Sequence, residues 1–306
     1  MPDEDYIEVV NLVAKSLHNN LELIAKKYPN KRAAISMTGG CDSKTTLSCA
    51  NGLYDSFQYF SYASQASEKV DLDAASKIAD MVGIEHKKNY ISENDSDFAD
   101  LNIWKALIDQ NTGNIGRSPY NDYRKRAYFV KHHDFDIEVK SWASEIGRAY
   151  YNKRFSMKKF PEKVTPRCLS TMYKVFSYQR RLLLETDKVF SNFLKEYYSD
   201  DVFEMVNWTD LFFWEYRYSA WNGLVISHEQ NLSYDITIPD NNRTLLESLL
   251  KTPLEYRIDD KCHKDVQLLM NKKIAESNIH VVNVKHTSKR ALAEKLYLIT
   301  NTILPF

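Results

Sequence analysis

Two adjacent glycines, Gly39 and Gly40, stand inside the stretch AAISMTGGCDSKTTL, residues 33–47, of a chain that has only eight glycines among 306 residues. They follow a short apolar run and precede a segment of helical character, which places them in a turn between a strand and a helix. Glycine has no Cβ, so backbone N–H groups at this turn can come close to a bound group. The N-terminus of the following helix adds partial positive charge. The pattern predicts a backbone cradle for an anion such as phosphate.

The polar side chains around this glycine pair define the chemistry that the cradle would support. Thr38 and Ser43 supply hydroxyl donors, and Lys44 supplies a cation near the start of the helix. Asp42 would repel a bare anion unless it faces a magnesium ion or makes structural hydrogen bonds to the loop. The side chains therefore predict a phosphate site in which Asp42 has one of these two roles.

The spacing does not fit two other phosphate-binding motifs. GGCDSKTT lacks the glycine spacing of the Walker motif, and the dinucleotide fingerprint G-x-G-x-x-G is absent. The residues do resemble the loop of the N-type ATP pyrophosphatases, the PP-loop family, whose pattern is Ser-Gly-Gly-x-Asp-Ser at the end of the first strand. Here Thr38 replaces the first Ser and keeps its hydroxyl. The resemblance covers this motif closely and, through the surrounding strand and helix, roughly the first 90 residues.

The resemblance implies roles for the residues of this loop. Asp42, Ser43 and Lys44 would act in catalysis, and Asp42 would also hold the metal, with ATP and Mg²⁺ as cofactors. Cys41 occupies the variable position of the motif. The nucleotide-binding residues that the resemblance implies at the first strand and its loop are Ser36, Thr38, Gly39, Gly40, Cys41, Asp42 and Ser43.

Downstream segments resemble the asparagine-synthetase-like branch of this family. DLDAASKIADMVGIEH, residues 71–86, is similar to the segment that follows the second strand in that branch, where the strand end borders the adenosine pocket. This likeness implies a nucleotide contact for Tyr62, near the end of the second predicted strand.

A second loop of that branch, Ser-Gly-Glu-Gly-x-Asp-Glu, closes on pyrophosphate and magnesium, and WASEIGRAYY resembles it loosely. The resemblance implies contacts from Glu145, Gly147 and Arg148, although the Asp-Glu pair is absent. DLFFWEYRYSAW and TIPDNNRTLLESLLKTP resemble the C-terminal helical region of the branch. Arg217 is the candidate there for an Arg that completes the site.

The family resemblance implies ATP-dependent adenylation, in which ATP gives AMP and pyrophosphate. The reaction would activate a carboxylate, amide or ureido oxygen of a small molecule for a nitrogen nucleophile. The chain begins Met-Pro-Asp, so we expect no glutaminase domain, whose nucleophilic Cys would follow Met. A separate ammonia or sulfur donor protein stays open. One alternative is a sulfurtransferase that thiolates a nucleobase, tRNA or another small molecule, with Cys168 or Cys262 as its thiol; another is an ATP or AMP sensor without chemistry.

The elements that must position the loop alternate along the first half of the chain. Strands are predicted at RAAISM, 57–63, HKKNYI and FDIEVKSW, with helices at 5–27, 71–82, 97–110 and 121–131. We expect an α/β fold with a doubly wound, Rossmann-like parallel sheet of the PP-loop type. Helical periodicity dominates after 166. We therefore expect a nucleotide-binding domain over 1–165 and a mostly helical substrate region over 166–306.

The composition limits the partners. Lys plus Arg equals Asp plus Glu at 41 each, which argues against a nucleic-acid partner, although a local basic face stays open. No apolar stretch suits a signal peptide or a spanning helix, so we expect a cytoplasmic protein that does not act at membranes. The four cysteines show no metal-site or redox spacing. A small-molecule substrate fits best, and a homo-oligomer stays open.

Overall fold

Five strands form one sheet in a computed structural model of the protein, which describes residues 3–112, 120–161, 163–173, 180–198, 206–226, 232–279 and 288–303. The strands are β1 Ala33–Ser36, β2 Gln58–Ala63, β3 Lys87–Tyr90, β4 Ile137–Val139 and β5 Asp235–Thr237. Their order across the sheet is β3-β2-β1-β4-β5, and every neighbouring pair runs parallel. The predicted α/β class with a parallel sheet is therefore confirmed.

Helices occupy much of the remaining described chain. In chain order the α-helices are α1 Asp3–Lys27, α2 Cys41–Cys49, α3 Ala66–Val82, α4 Leu101–Asn111, α5 Tyr120–Lys131, α6 Tyr150–Phe155, α7 Pro166–Tyr173, α8 Arg180–Tyr197, α9 Trp208–Phe212, α10 Arg243–Lys251, α11 Leu254–Ile258, α12 Lys261–Met270, α13 Lys272–Ala275 and α14 Ser288–Ile303. Short 3-10 helices cover Tyr54–Ser56, Asp95–Asp97 and Ala143–Arg148, and a π-helical segment covers Phe213–Ile226. The crossovers between parallel strands thus contain helices, as parallel pairing requires.

The first three residues of the central strand β1 are small or branched apolar residues, as expected for a parallel strand that is covered on both faces. Ala33, Ala34 and Ile35 are fully buried. Ala34 belongs to a largely aromatic cluster in which the rings of Phe60 and Phe135 stack with centroids 5.1 Å apart. This packing fixes β1 in the sheet and so fixes where the loop after it begins.

The strand order reverses at β1. From β1 the chain continues to β2 and β3 on one side of the sheet, whereas β4 and β5 lie on the other. In open parallel sheets, such a reversal separates the loops that leave two adjacent strands and opens a crevice at the carboxyl ends of those strands. The crevice here lies between the loop after β1 and the segment after β4.

Two expectations about the elements need correction. The strand β5 falls in the region expected to be mostly helical; it has only three residues and is identified by its pairing with β4, which local periodicity does not reveal. The helix expected from 71 starts at Ala66. Its first turn is stabilised by Glu68, whose carboxylate accepts hydrogen bonds from the Ser64 backbone N–H and hydroxyl at 2.8 Å each.

The chain forms two compact units, each made of two stretches. The first comprises Met1–Glu145 and Ala220–Val281, and the second comprises Ile146–Ser219 and Val282–Phe306. This division differs from the expected boundary at 165. The chain must return to the first unit because β5 pairs with β4 there.

The second unit is helical and has an aromatic core. Tyr151, Phe190 and Phe212 are fully buried, and the Tyr151 and Phe212 rings stack with centroids 5.9 Å apart. Trp208 is also buried and donates its indole N–H to the Pro161 carbonyl at 3.0 Å. These four aromatic side chains therefore pack the interior of the second unit.

Candidate functional site

A cavity of about 360 Å³ opens at the carboxyl ends of β1, β2 and β4, in the first unit. This is the crevice where the strand order reverses, the usual ligand position in open α/β sheets. Its lining residues are Ser36, Met37, Thr38, Gly40, Asp42, Ser43, Ser61, Tyr62, Glu68, Asp71, Leu72, Lys125, Lys140, Ser141, Trp142 and Glu145.

The loop after β1 is held largely by its own hydroxyl groups. The backbone N–H of Thr38 donates to the Ser43 hydroxyl at 2.9 Å, and that of Gly40 donates to the Thr38 hydroxyl at 3.2 Å. Gly40 is the N-cap of α2 and has an ordinary φ of −71°. A Cβ there would lie 3.2 Å from the Thr38 hydroxyl oxygen. Glycine is therefore favoured by crowding rather than by an unusual backbone angle.

Asp42 belongs to a network that includes distant parts of the chain. The Ser144 hydroxyl donates to the Asp42 carboxylate at 2.7 Å, and the Ser144 backbone N–H donates to the Asp240 carboxylate at 2.7 Å. The imidazole Nε2 of His263 lies 3.6 Å from Asp42 Oδ1. Burial raises the pKa of Asp240 to about 6, with a further contribution from the Asp42 charge. Ser144 thus bridges Asp240 and Asp42, of which Asp42 lines the cavity.

The oxygen ligands of the cavity suit magnesium. Asp42, Asp71 and Glu145 offer carboxylates, and Thr38 and Ser43 offer hydroxyls; hard oxygen donors of this kind are those that Mg²⁺ prefers. Within the described ranges no three His, Cys, Asp or Glu side chains are grouped to hold an ion. Magnesium in nucleotide sites is commonly bound by one or two carboxylates together with phosphate oxygens, so the residues present fit it.

An ion pair that the sequence did not reveal lies beside Tyr62. The Lys125 ammonium donates to the Glu68 carboxylate at 2.7 Å and lies 5.4 Å from the Tyr62 ring centroid. Burial alone would raise the pKa of Glu68, but Lys125 and the hydrogen bonds from Ser64 outweigh burial and lower the pKa. Lys125 sits on α5, far from Glu68 in sequence, so no local pattern could have paired them.

Two further groups at the cavity are fixed by polar contacts. The Asp71 carboxylate accepts a hydrogen bond from the Gly39 backbone N–H, yet burial raises the pKa of Asp71. The Ser61 hydroxyl lies 2.9 Å from His86 Nε2, and burial lowers the pKa of His86 to about 4. His86 is therefore a neutral partner of Ser61 near pH 7, a second-strand contact that sequence reasoning missed.

Most of the predicted nucleotide-binding residues of the first unit meet in this cavity. Those lining it are Ser36, Thr38, Gly40, Asp42, Ser43, Tyr62 and Glu145. Gly39 is not among the lining residues, but its N–H reaches Asp71. Their functional roles stay predictions.

The sequence predicts Lys44 and Cys41 at the nucleotide site, but neither residue lines the cavity. The buried Lys44 ammonium donates to the Ile279 carbonyl at 3.1 Å, and burial lowers its pKa. The Cys41 carbonyl accepts from Gln267 at 3.2 Å, on the side where α12 packs against α2. Because successive helical residues are rotated by about 100°, Lys44 lies on the opposite side of α2 from Asp42.

The remaining predicted contacts belong to the second unit. Gly147 and Arg148 are in the 3-10 helix Ala143–Arg148, and Arg217 is in the π-helical segment. The Arg217 guanidinium lies 5.2 Å from the Tyr150 ring centroid. Their roles toward a nucleotide stay predictions.

Comparison with protein-family models and with curated proteins found no match for the chain. Among the described residues, no helix has both the length and the apolar character needed to cross a membrane. Any inference about function therefore rests on the fold and on the residues of the cavity.

Proposed function

We propose that this protein is an ATP-dependent adenylating enzyme with the PP-loop form of the parallel α/β fold. The supporting observation is the meeting of the Thr38–Ser43 loop, Ser36, Tyr62 and Glu145 in one cavity at the reversal of strand order. In the sequence these residues lie in separate segments, which only the resemblance to the PP-loop family assigns to one site. Their convergence is what a nucleotide site in an open α/β sheet requires.

In the proposed reaction the loop stabilises negative charge on the pyrophosphate leaving group. The Thr38 and Ser43 hydroxyls and the N-terminal end of α2 would interact with phosphate oxygens. Asp42 would hold Mg²⁺, with Glu145 as a second carboxylate. When bound, the ion would supply neutralising charge for the phosphates. The chain's residues thereby position the α-phosphorus for attack by an oxygen of a small-molecule substrate.

The burial of the cysteine thiols favours a nitrogen nucleophile over a sulfur nucleophile. Cys168 and Cys262 are buried, and burial raises the pKa of both to about 12. A thiol of this kind stays protonated near neutral pH and is a poor nucleophile. Cys41 does not line the cavity. Sulfur transfer is therefore the less favoured alternative, and an ammonia or amine donor is the proposed partner.

A nucleotide sensor is the second candidate function. The observation that favours it is the Ser144 hydroxyl on Asp42, in a segment that lacks the Asp-Glu pair of the resembling loop. An Asp42 carboxylate held by this hydrogen bond could order the loop around a bound nucleotide without catalysing a reaction. The two functions differ in whether ATP is consumed.

The test follows ATP products by mass spectrometry, using purified protein, magnesium and a small-molecule cell extract. AMP with pyrophosphate supports adenylation, and the metabolite that gains nitrogen identifies the substrate; ATP binding without turnover supports the sensor. Asp42→Asn should lower pyrophosphate release at least about 100-fold, because it removes the metal ligand. Asp80→Asn, on the exposed face of α3, is the matched control. Full activity of Asp42→Asn would contradict the proposed role.

A further inference from the structure

A second cavity, of about 230 Å³, lies in the first unit at the carboxyl end of the edge strand β3. It shares no lining residue with the cavity of the proposed nucleotide site. Its volume is below the roughly 300–1,000 Å³ that is usual for sites of drug-sized ligands, so it suits a small molecule. Five of its ten lining residues carry aromatic rings: Tyr90, Phe98, Trp104, Tyr128 and His132.

These rings come from separate segments of the chain. Tyr90 ends β3, Trp104 lies on α4, and Tyr128 lies on α5 about one helical turn before His132. The Tyr128 and His132 rings stack with centroids 4.4 Å apart, which gives the cavity one broad aromatic surface. Within the residues that the structure describes, neither Tyr90 nor Trp104 stacks on another ring. Their faces are therefore not used for ring packing and can meet the ring of a ligand.

Two charged side chains also line this cavity, Asp97 and Lys131. The Asp97 carboxylate is held by hydrogen bonds from the Ser92 hydroxyl and from the Asn94 side-chain amide. Lys131 is exposed and ends α5. Aromatic rings attract simple organic cations, but the Lys131 ammonium offsets the Asp97 carboxylate. The two charges together favour neither a simple cation nor a simple anion, whereas a ligand that carries both charges is complementary to them.

We propose that this cavity is a second ligand site, which binds a small zwitterion with a planar aromatic ring, the chemistry of a free aromatic amino acid. The ring would pack against Tyr90, Trp104 and the stacked Tyr128–His132 pair. Its ammonium group would face Asp97, and its carboxylate would face Lys131. The inference goes beyond the proposed function, because no residue of this site belongs to the nucleotide cavity.

The test is isothermal titration calorimetry of the full chain with L-tryptophan, L-leucine and choline as probes. L-Tryptophan should bind, and L-leucine, which keeps both charges but has no ring, should bind about 5- to 10-fold more weakly. Choline, a cation without a carboxylate, should also bind more weakly than L-tryptophan. Equal affinity for L-leucine would overturn ring recognition, and tighter binding of choline would overturn the zwitterionic ligand.

Two exposed side chains allow the site to be tested without loss of the fold. Tyr90→Ala, at a residue that is 59% exposed, should weaken L-tryptophan binding about 3- to 10-fold. Lys131→Met should weaken L-tryptophan about 2- to 5-fold but leave tryptamine, which lacks the carboxylate, unchanged. Val70→Ala, at a 51% exposed residue of α3, is the matched control and should keep wild-type affinity.

Three results would contradict the second site. The wild-type protein could bind none of L-tryptophan, L-tyrosine and L-phenylalanine, or Tyr90→Ala could keep wild-type affinity; either result would overturn the site itself. An equal loss of tryptamine and L-tryptophan binding in Lys131→Met would overturn the carboxylate contact. MgATP binding, measured separately, tests the proposed function and does not bear on this site.

Discussion

The loop after β1 and the segment after β4 border the same crevice, but different kinds of contact hold them. The β1 loop is fixed mainly from within, through the bonds of Thr38 and Gly40 to neighbouring hydroxyls, with one bond from Gly39 to Asp71 on α3. The β4 segment is fixed from outside: Ser144 bonds to Asp42 and Asp240, both about 100 residues away in sequence. A motif that supports itself can be recognised in a sequence, whereas one supported by distant groups leaves little local trace.

The largest expected effect is on the pH dependence of stability, and it concerns Asp240, which accepts the Ser144 backbone N–H. The folded-state pKa of Asp240 is raised from 3.8 to about 6, so the folded protein binds this proton more tightly than the unfolded chain. Protonated Asp240 therefore contributes about 3 kcal/mol to the free energy of unfolding. This contribution is fully present below pH 4 and is lost as the pH rises through 6. Asp240→Asn should remove this part of the pH dependence in urea unfolding measured from pH 4 to 7.

Asp235→Asn, at the exposed start of β5, is the matched control for that experiment and should keep the wild-type pH dependence. If Asp240→Asn shows the same pH dependence of the free energy of unfolding as the wild type, the buried carboxylate titrates normally. The β4 segment would then not depend on the protonation of Asp240.

The next effect compares the two serines directly. Ser144→Ala removes a donor to the Asp42 carboxylate, a charged hydrogen bond that contributes about 2 kcal/mol. Ser43→Ala removes the acceptor of the neutral Thr38 N–H, which contributes about 1 kcal/mol. Chemical unfolding followed by circular dichroism should rank Ser144→Ala as the more destabilised. The reverse order would mean that the β1 loop carries more of the local stability than the β4 segment.

The smallest effect concerns Asp71, which accepts the Gly39 N–H and lines the cavity. Asp71→Asn keeps an acceptor of similar shape but removes a negative charge beside the proposed phosphate position. MgATP should bind about two- to fivefold more tightly, the scale of a partly exposed charge interaction. Calorimetry measures the change, with the exposed Asp73→Asn on the same helix as control. Weaker binding would instead indicate that Asp71 holds the metal.

Much of the sheet could be predicted because its strands carry local signals. The apolar run of β1 and the turn signals around β2 to β4 are short-range features, and the structure has strands at each of those places. β5 had no such signal, since three residues are too few for a period and its existence depends on β4. The two compact units divide the chain at positions other than 165, and β5 belongs to the first of them.

The sequence by itself determined the strand, loop and helix around Thr38–Ser43, because glycine, hydroxyl and helix-forming residues act on their immediate neighbours. Only the tertiary structure decided which lysines line the cavity: helix rotation turns Lys44 toward Ile279, whereas Lys125 and Lys140 both line it. It also decided that Ser144, Asp240 and His263 surround Asp42. Such groups are brought together by burial and strand pairing, and these depend on the packing of the first unit rather than on any short stretch of its sequence.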